Sequence, residues 1–326
     1  MLILGIDSSG HTASCALLRD GIVLSEYSAN IGLTHSQTLL PMVAEIFSRT
    51  GVEAKDLDGI AVSAGPGSFT GLRIGASTAK GLALGYGIPL IEVSTLEGLW
   101  RNVSDLSGMC DISVGISTGS NNTSSRFAES SDSRLESSDT DTSIAASGNS
   151  NAHIHSSENR LYIHPIMDAR RNQVYTAAFL NGELVGEEEA IGVSELIEHI
   201  NSTGGRHLFL GDAVPVYKEF LSEQLTVPYC FAGPQNLLQR ASSIALIGAE
   251  KLEKGESVSG QDFRLSYIRK PQAEREREEA GLREFDITHD DPDKLKKTKT
   301  ADVLAARNYK IGTDAGYEDE SLPENL

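Results

Sequence analysis

The sequence predicts an α/β protein built from two similar halves, and three observations carry that reading. The first is the stretch Asp58 to Glu92, DGIAVSAGPGSFTGLRIGASTAKGLALGYGIPLIE, which reads as strand, glycine turn, helix and strand. The second is a shared register. Asp7 and Asp168 each end an apolar strand, and Gly21 and Gly182 each complete an Asp-Gly or Asn-Gly hairpin turn, so both pairs lie 161 residues apart (7 to 168, 21 to 182). The third is a break in composition: residues 104–160 and those beyond Pro271 are polar and charged, which leaves 1–103 and 161–270 as the parts able to bury a core.

In order, Leu2 to Ile6 is a compact apolar strand that stops at Asp7-Ser8-Ser9-Gly10. Thr12 to Leu18 and Ile22 to Tyr27 are two further strands around the Arg19-Asp20-Gly21 turn. Thr34 is placed to cap a helix with the apolar stripe Leu39, Leu40, Val43, Ile46 and Phe47, which Pro41 should start or kink. The glycine unit follows, with strand Ile60 to Ala64 and a helix capped by Ser68 or Thr70; Ile88 to Val93 and Leu96 to Trp100 close the half. The second half opens with LYIHPIMDARRNQVYTAAFLNGELVGE. It continues as helix Ser194–Ile200, strand His207–Gly211, helix Pro215–Gln224, strand Thr226–Phe231 and a helix over Leu237 to Lys254. Residues 104–160 read as a Ser-rich acidic disordered insertion and 271–326 as a charged, disordered tail.

The helix after the glycine turn carries Gly67, Gly71, Gly75 and Ala79 at intervals of four. Glycine costs a helix about 0.5–1 kcal/mol relative to alanine, so small residues in register imply that another backbone comes close. That backbone belongs either to a partner helix or to the chain's own sheet. As a phosphate loop the turn misses the dinucleotide fingerprint by one residue and lacks the Gly-Lys-Ser/Thr ending, though a helix N-terminus after a glycine turn can still cradle an anion.

The net charge of −18 is spread unevenly, with eight acids against three bases in 104–160 and fifteen against nine in 272–326. An acidic body argues against bare nucleic-acid binding as the main task. Three separated cysteines without a CxxC fit reduced structural thiols, and no run approaches membrane-spanning length, so a cytoplasmic location is expected. His153 and His155 are too few, in too polar a tract, to make a metal site.

Two halves that each open with an Asp-ended strand and a hairpin describe a duplicated ribonuclease-H-like (actin-like, ASKHA) fold of two lobes. In nucleotide-using proteins of that class, a small polar turn after each Asp leaves room for phosphates. Asp7, Ser8 and Ser9 keep that room as a degenerate phosphate loop, whereas Arg170 and Arg171 take the matching places after Asp168. Those two guanidinium groups, with Asp168, suit contact with a partner or an anion.

At these residues the chain resembles a known family. GIDSSGHTASCALL, THSQTLLPMV, SAGPGSFTGLRIGASTAKGLA, MDARRNQVY and the late Tyr-Ile-Arg are together similar to TsaB (YeaZ), over residues 1–103 and 161–270. The resemblance implies an accessory, non-catalytic homologue of TsaD, needed when threonylcarbamoyl passes from its adenylate to the adenosine beside the anticodon of tRNAs reading ANN codons. It implies TsaD as dimer partner, the ATPase TsaE in a higher complex, tRNA met through that complex, and a homodimer when the chain is alone. No cofactor would be held tightly by this chain, though ATP or ADP could sit at the complex junction. The family's partner helices match Thr34–Thr50 and Thr70–Gly85, which assigns the interface to His35, Leu39, Val43, Ile46, Gly71, Leu72, Gly75 and Ala79.

Two alternatives come from other classes. A small-molecule kinase of the duplicated fold needs a second phosphate loop, which Arg170 and Arg171 oppose. A metallopeptidase needs a second histidine four residues after His35, where Leu39 stands, and Ser68, His35 and Asp7 lack the context of a nucleophilic triad. No catalytic residue and no metal ligand is therefore assigned.

Overall fold

In a computed structural model, which describes residues 1–104 and 160–269, the two halves repeat one topology. The first sheet contains β1 (Leu2–Asp7), β2 (Ala13–Arg19), β3 (Ile22–Ala29), β4 (Gly59–Gly65) and β5 (Leu90–Ser94), in the order β3-β2-β1-β4-β5. The second contains β6 (Leu161–Asp168), β7 (Gln173–Leu180), β8 (Glu183–Gly192), β9 (Arg206–Leu210) and β10 (Tyr229–Phe231), in the equivalent order β10-β9-β6-β7-β8. In each, the first three strands pair antiparallel and the last two join parallel. This is the duplicated ribonuclease-H-like fold expected from the sequence. The hairpin turns match as well: Asp20 and Gly21 have φ of 48° and 80°, Asn181 and Gly182 of 53° and 90°, the paired positive values that a two-residue hairpin turn requires.

Helices fill the same gaps in both halves. α1 (His35–Thr50) and α2 (Phe69–Tyr86) cover the first sheet, and α4 (Val193–Thr203) and α5 (Val214–Gln224) the second. The closing helices are exchanged. α3 (Thr95–Arg101) sends Leu96 and Leu99 into a core with Ile163, Met167, Phe179 and Leu210 of the second half. α7 (Ala241–Glu253), which follows the short α6 (Pro234–Leu237), sends Ile244, Ala245 and Ile247 against Ile3, Ala61 and Ile91 of the first. Each sheet thus buries its second face with a helix from the other half, which ties the two into one unit over Met1–Pro271.

Two local expectations change. Pro41 does not start α1, which begins at His35 and runs on past it, with Leu39 and Val43 on either side anchored in the core. α7 begins at Ala241 rather than Leu237, since Leu238 and Arg240 are extended. Its N-terminus is fixed from the first half: the Ala241 amide donates to Ser14 Oγ at 3.0 Å and the Ser242 amide to Glu26 Oε1 at 3.0 Å. The insertion and tail assigned to 104–160 and 271–326 lie, apart from residues 104 and 160, outside the described residues, as do His153 and His155.

Candidate functional site

The turn after β1 is held by its own polar groups. Ser9 donates to Asp7 Oδ1 through its amide at 2.9 Å and its hydroxyl at 2.6 Å, and Ser8 Oγ donates to the Gly71 carbonyl at 2.8 Å. His35 Nε2 lies 2.9 Å from the Gly10 carbonyl, and the Ser68 amide donates to the Ser9 carbonyl at 2.7 Å. The glycines of α2 make that closeness possible. A Cβ at Gly71 or Gly75 would fall closer than 3.0 Å to Ser8, and one at Gly67 equally close to Ser9. The backbone that the small residues admit is therefore the chain's own loop.

This corrects the interface assignment at the residue level. Leu39, Val43, Ile46, Gly71, Leu72, Gly75 and Ala79 are all buried within the first half, and His35 is half-buried against Gly10, so none of the apolar ones can meet a partner directly. The opposite face of the same helix pair is open. Ser36, Leu40, Thr70, Arg73 and Ser77 are exposed around half-buried Phe69 and Ile74, and together with His35 they line a shallow groove between α1 and α2. Arg73 stacks over Phe69 at 3.9 Å and donates to Tyr267 Oη at 3.4 Å, which brings the late Tyr-Ile-Arg to the groove's end.

The phosphate-loop expectation changes for a similar reason. Asp7, Ser8 and Ser9 already bond to one another or to α2, and the second half fills the space in front of Gly10. A Cβ there would fall closer than 3.0 Å to Asp212 Oδ2 and to the Gln239 amide. Burial pushes the Asp7 carboxyl up, the Ser9 bonds oppose this, and the charge of Asp212 adds to it. Burial likewise pushes up Asp212. A buried carboxyl facing the loop disfavours a phosphate at that place. A triad is not assembled either, because Asp7 pairs with Ser9, His35 with a carbonyl, and Ser68 Oγ with the Gly71 amide at 3.3 Å. No group of three potential metal ligands occurs among the described residues, and no described helix is long and apolar enough to cross a membrane.

The turn after β6 is built differently. Arg170, Arg171 and Asn172 have φ of 64°, 54° and 57°, three consecutive left-handed residues without a glycine. Asp168 Oδ1 accepts from the Arg170 amide at 2.9 Å, and Arg269 Nη1 donates to the Ala169 carbonyl at 3.1 Å. Sequence reasoning missed Asp212 and Gln239 here, and it singled out Arg269 in the late Tyr-Ile-Arg without placing it at this turn. Gly211-Asp212 after a strand was the available signal, but only the folded chain carries these residues to the two turns.

Comparison with known proteins fits this geometry. A family model described as TsaD, tRNA N6-adenosine threonylcarbamoyltransferase, matches residues 26–125. The chain is 28% identical over 278 residues to the tRNA threonylcarbamoyladenosine biosynthesis protein TsaB of Bacillus subtilis, covering 84% of this chain and 96% of that one. It is 44% identical over 105 residues to the TsaB protein of Escherichia coli, covering 31% of this chain and 45% of the relative. The chain is similar to TsaB (YeaZ) proteins, along nearly the whole of one of them and over less than half of another. The solved YeaZ from Pseudomonas aeruginosa has the same fold, with a TM-score of 0.55 and 22% identity over 82% of this chain and 99% of that one. The stretch of 44% identity spans less than half of the Escherichia coli protein, while the fold match spans both halves.

Proposed function

We propose that the chain is an accessory, non-catalytic subunit in the synthesis of threonylcarbamoyladenosine on tRNA, and that it pairs with a TsaD-type transferase through the outer groove of α1 and α2. The observation that carries this is the alignment with the Bacillus subtilis TsaB protein along nearly all of that protein's length. The accessory character is supported by Leu39 at the place of a second histidine and by Asp212 and Gln239 in front of the first loop. The groove supports the pairing: exposed Leu40 and half-buried Ile74 and Phe69 form an apolar strip edged by Arg73 and Ser36. In this reading a TsaE-type ATPase joins the complex, nucleotide is held at the subunit junction rather than by this chain, tRNA is the substrate of the whole, and the complex works in the cytoplasm.

Reconstitution tests it. Transfer of threonylcarbamoyl to tRNA by TsaD-type and TsaE-type partners should require this chain, and sizing should show a heterodimer with the TsaD-type subunit. Full transfer without the chain contradicts the proposal. ATP binding by the chain alone would instead favour the kinase reading.

A further inference from the structure

We infer that the Arg170–Arg171 turn is a surface site for phosphodiester groups of tRNA, which places a direct RNA contact on this chain; the inference rests on the function proposed above. The turn's backbone is fixed on every side. The Ala169 amide donates to the Gln173 carbonyl at 3.0 Å, the Gln173 amide to the Arg170 carbonyl at 3.1 Å, and the Val193 amide to the Asn172 carbonyl at 3.1 Å. Three successive left-handed residues that are not glycine are a conformation the chain adopts only when its surroundings impose it. What this conformation presents is charge: the side chain of Arg170 is 75% exposed, and Arg171 is exposed beside it. Arg269, bonded to Ala169, brings a third guanidinium to the same turn. Asp168 is the acid in direct contact, with one oxygen taken by the Arg170 amide and the other 3.5 Å from its guanidinium. Two or more arginines on a fixed backbone suit phosphate, whose oxygens match the guanidinium fork.

One aromatic side chain lies beside the charge. Tyr217 of α5, half-buried, lies within electrostatic reach of Asp168 and Arg170. A ring beside arginines serves RNA, whose unpaired bases stack on it, better than it serves a carboxylate-bearing protein. The exposure of the arginines also favours RNA over a free nucleotide. A phosphate they bind sits on the outside of the second half, while Asp212 and Gln239 occupy the space before Gly10.

The test is tRNA binding by the assembled complex across a salt series, with Arg170→Asn/Arg171→Asn against wild type. Asparagine tolerates the left-handed conformation, so the turn keeps its shape and loses its charge. The expected result is binding weakened about tenfold at low salt, and a slope of log K against log salt that flattens by roughly 1 to 2, with assembly unchanged by sizing. Arg171→Asn alone, which spares the Arg170–Asp168 pair, should give about half the change in slope. Unchanged affinity and slope in an intact complex overturn the inference and leave the proposed function standing. Loss of assembly with normal tRNA binding by whatever complex forms overturns it in favour of a protein contact. Loss of ATP binding without loss of tRNA binding overturns it in favour of a nucleotide. A wild-type complex that binds no tRNA overturns both this inference and the function on which it rests.

Discussion

The turns after β1 and β6 occupy the same place in two copies of one topology, yet they have been put to opposite uses. The first turns inward: Asp7, Ser8 and Ser9 spend their polar groups on each other and on α2, and Asp212 and Gln239 close the space outside. The second turns outward, with a strained left-handed backbone that exposes Arg170 and Arg171. Duplication supplied a symmetric pair of loops, and this chain has made one of them core and the other surface.

The largest effect should come from breaking the inward turn. Gly75→Leu places a branched side chain where a Cβ alone already meets Ser8, and the loop must move or the helix must lift. Overpacking of this kind costs about 1–3 kcal/mol or more, so thermal melting should show a drop of many degrees. Gly85→Ala on the same helix is the control. A Cβ there meets nothing, and the exchange should raise stability by about 0.5–1 kcal/mol. Equal melting temperatures for the two variants would mean that the small-residue face does not pack on the loop.

The next effect depends on pH. His164 and His207 form a buried pair in the second half, with His164 Nε2 2.9 Å from His207 Nδ1 and Tyr162 and Phe209 stacked on either side. Burial and the neighbouring ring push His164 down from 6.5 to about 3. The unfolded chain then binds more protons between these values, so stability falls as pH drops below 6.5, at up to about 1.4 kcal/mol per unit. Asp7 in the first half has the opposite sign. Its raised folded value means that the native state holds the proton above pH 3.8, and stability from this group falls as pH rises through that window. Denaturant titrations from pH 4 to 7 should show wild type losing stability relative to His164→Gln as pH falls, because glutamine keeps a donor for His207 without titrating, whereas the opposing carboxyls are common to both. The same slope in both would remove His164 as the cause.

A smaller effect tests how the halves are joined. Glu26, on edge strand β3, accepts from the Ser242 amide and hydroxyl and pairs with Arg240 Nη2 at 2.6 Å. Glu26→Ala should cost about 0.5–2 kcal/mol, because it uncaps α7 and leaves Arg240 without this acid; a denaturant midpoint within error of wild type would contradict that.

The duplication was legible in the sequence because a strand that ends in Asp and a hairpin turn that needs Gly are both local signals, and they recur in register. The close approach on α2 was legible too, as glycines at four-residue spacing. Which backbone approaches was not, since a partner helix and the chain's own Ser8 loop ask for the same small residues. Leu40 could not be told from Leu39 for a related reason. Both fit the helical stripe, and only the sheet's position decides that Leu39 is buried while Leu40 is 56% exposed. Asp212 and Gln239 were invisible as parts of the first loop because the contacts that bring them there, across the exchanged helices α3 and α7, are nonlocal.

α1 and α2 hold the chain's own loop on their inner face, and the TsaD-type subunit is proposed to dock on their outer face. Size-exclusion of that subunit with Leu40→Asp/Ile74→Asp tests it most directly, alongside melting of each variant alone. The account predicts a variant that melts close to wild type and no longer forms the heterodimer. A variant of unchanged stability that still elutes as a full heterodimer would place the partner elsewhere on the molecule.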